Sequence, residues 1–133
     1  AWTAARTRNA EAILATAGLL PALRVPDIPD HVVHAHYKAY VFVRPECLAS
    51  DWSRDRIMAE INASGVPCFS GSCSEVYLEK AFDDTGWRPA ERLPVARELG
   101  ETSLMFLVHP TLTPEEIRKT CTVLTEVMTR ASA

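Results

Sequence analysis

Three histidines fall within six residues, His31-Val-Val-His34-Ala-His36. On an extended strand His34 and His36 point the same way, which is the geometry a zinc site uses. The remaining ligands, and the groups that orient them, would have to come from elsewhere in the chain. The plainer reading is a strand start at the surface or lining a groove, so no metal is expected. Lys38 lies two residues on, beside Tyr40. A lysine that forms a Schiff base needs a desolvated setting, whereas a lysine at a sheet edge usually extends to the surface. Cys68 and Cys73 flank a serine–glycine loop, Ser70-Gly71-Ser72. A catalytic thiol needs a base and an electropositive surrounding. His109 is a conceivable base, but nothing in the sequence brings it to either cysteine, and the thiols read as structural or incidental. The loop's hydroxyls and free backbone suit a phosphate or a sugar hydroxyl. It lacks the Gly-x-x-x-x-Gly-Lys spacing of a P-loop, and Ser and Gly favour turns in any case.

The elements that would position these residues follow from pattern and punctuation. Residues 3–20 read as a helix with Ala5, Ala12, Ile13, Ala17 and Leu20 on one face, and Pro21 stops it. Three prolines between 21 and 30 mark a loop or extended link, the best candidate boundary. His34 to Val43 reads as a strand, with Ala35, Tyr37, Ala39, Val41 and Val43 on a helix-covered face. His34, His36, Lys38, Tyr40 and Phe42 share the other face, as if opening on a site. Ser53 caps a helix over 54–63, with Ile57, Met58 and Ile61 as its buried stripe and Gly65 as its left-handed stop. Val66 to Phe69 is a short strand, Ser70 to Ser74 a loop, Glu75 to Phe82 a short helix, and 83–86 a turn. Leu93 to Leu99 is helical, and Ser103 to Val108 is a buried strand. Thr113, Pro114 and Glu116 form a capping box for the last helix, along which Ile117, Cys121, Leu124 and Met128 recur at helical spacing. The expected fold is α/β of the α+β kind: a small, three-stranded, mostly antiparallel sheet with helices packed on one face.

Composition excludes several classes. At 133 residues, 47% hydrophobic and 23% charged, the chain fits one domain with a real core. A net charge of −3 leaves no electrostatic footprint for nucleic acid. No apolar run is long enough to cross a bilayer, and no signal-peptide pattern is visible. Four cysteines without a C-x-x-C read as reduced thiols in a cytoplasmic protein. The chain begins at Ala1 without Met, which fits a piece of a longer protein or a processed start.

Several stretches together resemble one family. Arg8-Asn9-Ala10-Glu11 is similar to an "R-R-x-N-A" helix opening, and Tyr37-Lys38-Ala39-Tyr40-Val41-Phe42-Val43 to a "Y-H-L-Y-V-V-R" strand. Arg54-Asp55 through Gly65-Val66-Pro67 resembles "R-D-x-L…L-x-x-x-G-I-x", and Leu107 to Pro110 resembles "L-P-x-H-P". The order and spacing of these pieces resemble the C-terminal small domain of pyridoxal-phosphate sugar aminotransferases of the DegT/DnrJ/StrS type. That resemblance implies the type I aminotransferase fold, with residues 1–30 as a connecting helix and Pro-rich link and 31–133 as the small domain. It implies a parent homodimer that holds pyridoxal phosphate on a lysine of a large domain. The parent would take a nucleotide-linked keto sugar as substrate and an amino acid as donor, in polysaccharide or secondary-metabolite sugar biosynthesis. The small domain supplies a wall of the sugar pocket, which maps here onto Lys38, Tyr40, Ser70, Tyr77 and His109.

The family's "S-F-x-x-x-K…G-E-G-G" segment is absent, so no lysine here takes the cofactor role. The chain alone is expected to hold no cofactor and to be inactive. Lys38 stands where the family often has His, and Phe69 to Tyr77 replaces the family's "Y-x-x-P-L-H". Two other readings stay open. One is a free-standing ligand-binding or protein-interaction module with the same fold, and the other a metal-dependent enzyme using His31, His34 and His36. A large exposed apolar surface discriminates the module from a domain parted from its neighbour.

Overall fold

The computed structural model describes residues 1–133. Local chemistry sets most element boundaries. Helix α1 spans Trp2–Gly18 and buries Ala10, Ile13 and Ala17 on one stripe. Helix α2 spans Arg54–Ala63; the Ser53 hydroxyl accepts from the Arg56 N–H at its start, and Gly65 at φ 74° turns the chain away at its end. Helix α4 spans Pro114–Ala131 and opens on the expected capping box, Thr113 with Glu116.

The sheet has four strands rather than three: β1 (Leu23–Arg24), β2 (Lys38–Val43), β3 (Cys68–Phe69) and β4 (Ser103–Leu107), in spatial order β1-β2-β4-β3. Every neighbouring pair is antiparallel. The additional strand, β1, lies inside the Pro-rich stretch expected to be a link, and pairs Leu23 with Val43. Helix α3, Pro94–Thr102, runs directly into β4.

One core joins all of this. Ala39, Val41 and Val43 of β2 face it, with Leu104 and Phe106 of β4, Ile57 and Ile61 of α2, and Leu124, Val127 and Met128 of α4. Ala10, Ile13 and Ala17 of α1 and Leu23 of β1 sit in the same cluster. Each large side chain removed from water here contributes about 1.5–3 kcal/mol. The last residues are tied back, with Ala49 N–H donating to Ala131 O at 2.9 Å and Ala133 N–H to Cys47 O at 3.1 Å.

Two further expectations are corrected. The second strand begins at Lys38, not His34, because His36 adopts φ 45° and breaks the extended run. Alternation therefore fails upstream of 38: Ala35 and Tyr37 are exposed, and His36 is buried. The segment Glu75 to Phe82 is not a helix but two 3-10 turns, Val76–Leu78 and Lys80–Phe82.

Candidate functional site

The sheet face away from the core carries Lys38, Tyr40 and Phe42, all half-buried. Tyr40 anchors the serine loop there. Its hydroxyl lies 3.3 Å from Ser72 Oγ, and Gly71, at φ 92°, packs so closely that a Cβ would enter the Tyr40 ring. Only glycine combines that backbone with that approach. The loop's flanks are held as well. Ser103 Oγ donates to Ser70 O at 2.5 Å, and Ser74 presses on the bare Cα of Gly100 in α3. Because β3 is two residues long, the start of β4 lacks a strand partner on that side. Arg54 replaces it, its Nη1 donating to Gly100 O and Ser103 O, each at 3.0 Å. The result is a cleft of about 380 Å³ lined by Ser70, Ser72, Ser74, Glu75, Arg97 and Glu101. With Glu79 also in the lining, three hydroxyls beside three carboxylates and a guanidinium suit a polyhydroxylated ligand.

Tyr77 contributes differently from a bare pocket wall. Its hydroxyl donates to Glu75 Oε1 at 2.6 Å and accepts from Leu93 N–H at 2.9 Å. Arg92 grips the same carboxylate through Nε, at 2.9 Å, and Nη2. The Arg92 hydrogen bond, helped by that from Tyr77, holds the Glu75 carboxyl down at about 2. Ser70, Ser72 and Glu75 thus share one cleft, with Tyr40 beneath the loop and Tyr77 bound to the Glu75 that lines it.

His109 stands elsewhere. Its Nδ1 is 2.7 Å from Thr111 Oγ1, and it lines a separate cleft of about 360 Å³ with Val66, Leu107, Leu112 and Lys119. His34 and His36 stack at 4.3 Å between centroids, and the His36 N–H donates to His34 Nδ1 at 3.0 Å. They do not share a strand face, and no group of three His, Cys, Asp or Glu side chains could hold a metal ion. Cys68 is buried, and burial pushes its thiol up to about 12. Cys73 is exposed, with Sγ 3.5 Å from Glu79 Oε1.

A Schiff-base cofactor needs a lysine in a dry pocket. Lys80 and Lys119 are exposed and Lys38 is half-buried beside the Tyr37 ring, at 5.5 Å. The residues of this chain therefore do not fit pyridoxal phosphate as its covalent holder. The residues that sequence reasoning missed are the arginines 54, 88 and 92 together with Glu75, which shape the loop. Scattered arginines give no motif, and only the fold brings them to their carbonyl and carboxylate partners.

A four-stranded antiparallel sheet backed by α1, α2 and α4, with a long polar excursion over its open face, is an architecture found within aminotransferases. The chain matches the aminotransferase from Psychrobacter cryohalolentis at 56% identity and a TM-score of 0.92, covering 98% of this chain and 35% of that one. It matches the aminotransferase TlmJ from Streptoalloteichus hindustanus at 17% identity and a TM-score of 0.80, over 96% of this chain and 32% of that one. A DegT DnrJ EryC1 StrS aminotransferase from Brucella abortus matches at 22% identity and a TM-score of 0.75, over 94% and 31%. No family model and no curated protein matches the sequence. The family resemblance read from the sequence agrees with these matches: the chain shares its fold with a DegT DnrJ EryC1 StrS aminotransferase and spans about a third of the length of each of the three aminotransferases.

Proposed function

We propose that this chain is the C-terminal small domain of a pyridoxal-phosphate aminotransferase that acts on a nucleotide-linked keto sugar. The supporting observation is the seated serine loop, a hydroxyl-rich cleft on a domain 56% identical to part of an aminotransferase. One solved relative, DesI, is described in the presence of its TDP-sugar product, and another, NtdA from Bacillus subtilis, with bound cofactor PMP. In this reading residues 1–30 are the connecting helix and link, and 31–133 the small domain. When bound, the cofactor supplies the electron sink for amino transfer; its lysine belongs to the large domain, and the chain alone is inactive. Ser70 and Ser72, with Lys38 and Tyr40 on the sheet face behind them, wall the sugar site. Tyr77 holds the wall in shape, and His109 lines the separate cleft with Lys119. The whole enzyme is a cytoplasmic homodimer; no helix of this chain is long and apolar enough to cross a membrane.

Exposed apolar side chains favour a covered surface over a free-standing module. Val33 is 95% exposed, Tyr37 73%, Trp87 78% and Val95 65%, on segments a neighbouring domain or subunit would cover. The test is the longer protein. It is expected to show the visible absorbance of lysine-bound cofactor and to aminate a nucleotide-linked keto sugar, while residues 1–133 alone do neither. A longer protein that binds no pyridoxal phosphate would overturn the reading.

A further inference from the structure

Between β3 and α3 the chain runs through residues 70–93 without a single buried side chain. Val76, Leu78, Trp87 and Leu93 all face outward, so no apolar core gives this excursion its shape. Loops this long without regular structure are usually functional or disordered, yet this one makes defined turns. Leu78, Glu79, Phe82 and Asp83 N–H groups donate to Glu75, Val76, Glu79 and Lys80 carbonyls at 2.9–3.1 Å. Arg88 draws these turns together. Its Nε donates to Tyr77 O at 2.9 Å, and its Nη2 to Leu78 O at 3.1 Å, Glu79 O at 3.3 Å and Asp83 Oδ1 at 2.6 Å. Three successive carbonyls and a carboxylate thus converge on one planar fork, which a lysine ammonium cannot span. Upstream, the Glu75–Arg92 pair and the Tyr77 hydroxyl carry that order to Glu75, the residue that follows Ser74.

We propose that Arg88 is a positioning residue for the serine loop: by binding 77–79 and 83 it fixes the path that presents Ser70 to Ser74. The inference rests on the reading of that loop as a substrate wall. The residue does not touch the cleft itself, whose lining includes Glu75, Leu78 and Glu79 but not Arg88.

Hydrogen exchange on this chain decides the structural half. In Arg88→Ala the amides of Leu78, Glu79, Phe82 and Asp83 exchange about tenfold faster or more, as losing even one charge-assisted bond implies. Amides of β2 and β4 keep their protection, and Arg88→Lys does not restore the loop. Restoration by lysine, or equal loss across β2 and β4, would overturn the proposal. In the longer enzyme, with a TDP-linked 4-keto-6-deoxyhexose as probe acceptor, Arg88→Ala raises the acceptor KM about tenfold, the same increment in binding, and leaves the amino-donor half-reaction unchanged. Ser72→Ala is the control. If it leaves the acceptor KM unmoved, the reading of the loop fails; if it moves KM while Arg88→Ala does not, the positioning role fails.

Discussion

Arg54 offers the sharpest test of how the site is supported. Its guanidinium gives Nη1 to two backbone carbonyls, Gly100 O and Ser103 O, at the point where α3 becomes β4. Its side chain is 16% exposed, so water does not easily replace it. Arg54→Met keeps the apolar stem and removes both bonds. A hydrogen bond to a charged group contributes about 1.5–3 kcal/mol, and two sharing one nitrogen are not additive, so the loss is about 2–4 kcal/mol. At about 1.5–2 kcal/mol per molar urea, the unfolding midpoint falls by about 1–2.7 M with an unchanged slope. Arg54→Lys, with a point charge in place of the fork, is expected to keep about half of the stability. The assay is urea denaturation followed by far-ultraviolet circular dichroism on all three chains. A Met variant within about 0.3 M of the parent midpoint, a shift too small for even one such bond, would refute the reasoning. Full retention by lysine would show that a point charge holds the two carbonyls as well as the guanidinium does.

Other expectations follow from the same geometry. Iodoacetamide at pH about 8 alkylates Cys73 in the folded chain but Cys68 only after unfolding, since burial holds its thiol at about 12; peptide mass mapping that finds both labelled at one rate contradicts this. Glu75 titrates near 2 instead of 4.5. Its contribution to stability is therefore complete above 4.5 and disappears as pH falls through about 2; a carboxyl ¹³C titration with an ordinary midpoint would remove the Arg92 latch from the account. Thr113→Ala breaks the cap on α4 and lowers stability by about 1 kcal/mol, read as a thermal midpoint shift; an unshifted melt would show the cap to be idle.

What could be read in advance was what local chemistry decides. Ser53 and Thr113 cap helices because a hydroxyl followed three residues later by a free N–H is a short-range arrangement. Ala39, Val41 and Val43 face the core because strand alternation is geometric. The failures have tertiary causes. His36 leaves the strand in a left-handed conformation stabilised by its bond to His34 and its burial. Leu23–Arg24 becomes a strand only because β2 offers an edge. The pattern predicts a helix over Leu93 to Leu99, yet α3 continues to Thr102 with Gly100 pressed on Ser74. In the site, the Ser70–Ser72 loop was visible from composition. The arginines that shape it were not, because their partners are carbonyls and carboxylates as far as 49 residues away.

The excursion without buried side chains has an evolutionary consequence. The residues that hold the sheet together lie in β2, β4 and the helices behind them, and those that line the cleft lie largely within 70–93. The two sets scarcely overlap. Substitutions at Ser72, Cys73 or Tyr77 can therefore accumulate without eroding the hydrophobic interior, provided the arginine ties persist or are replaced. The surface segment can then be rewritten while the interior sequence is left untouched.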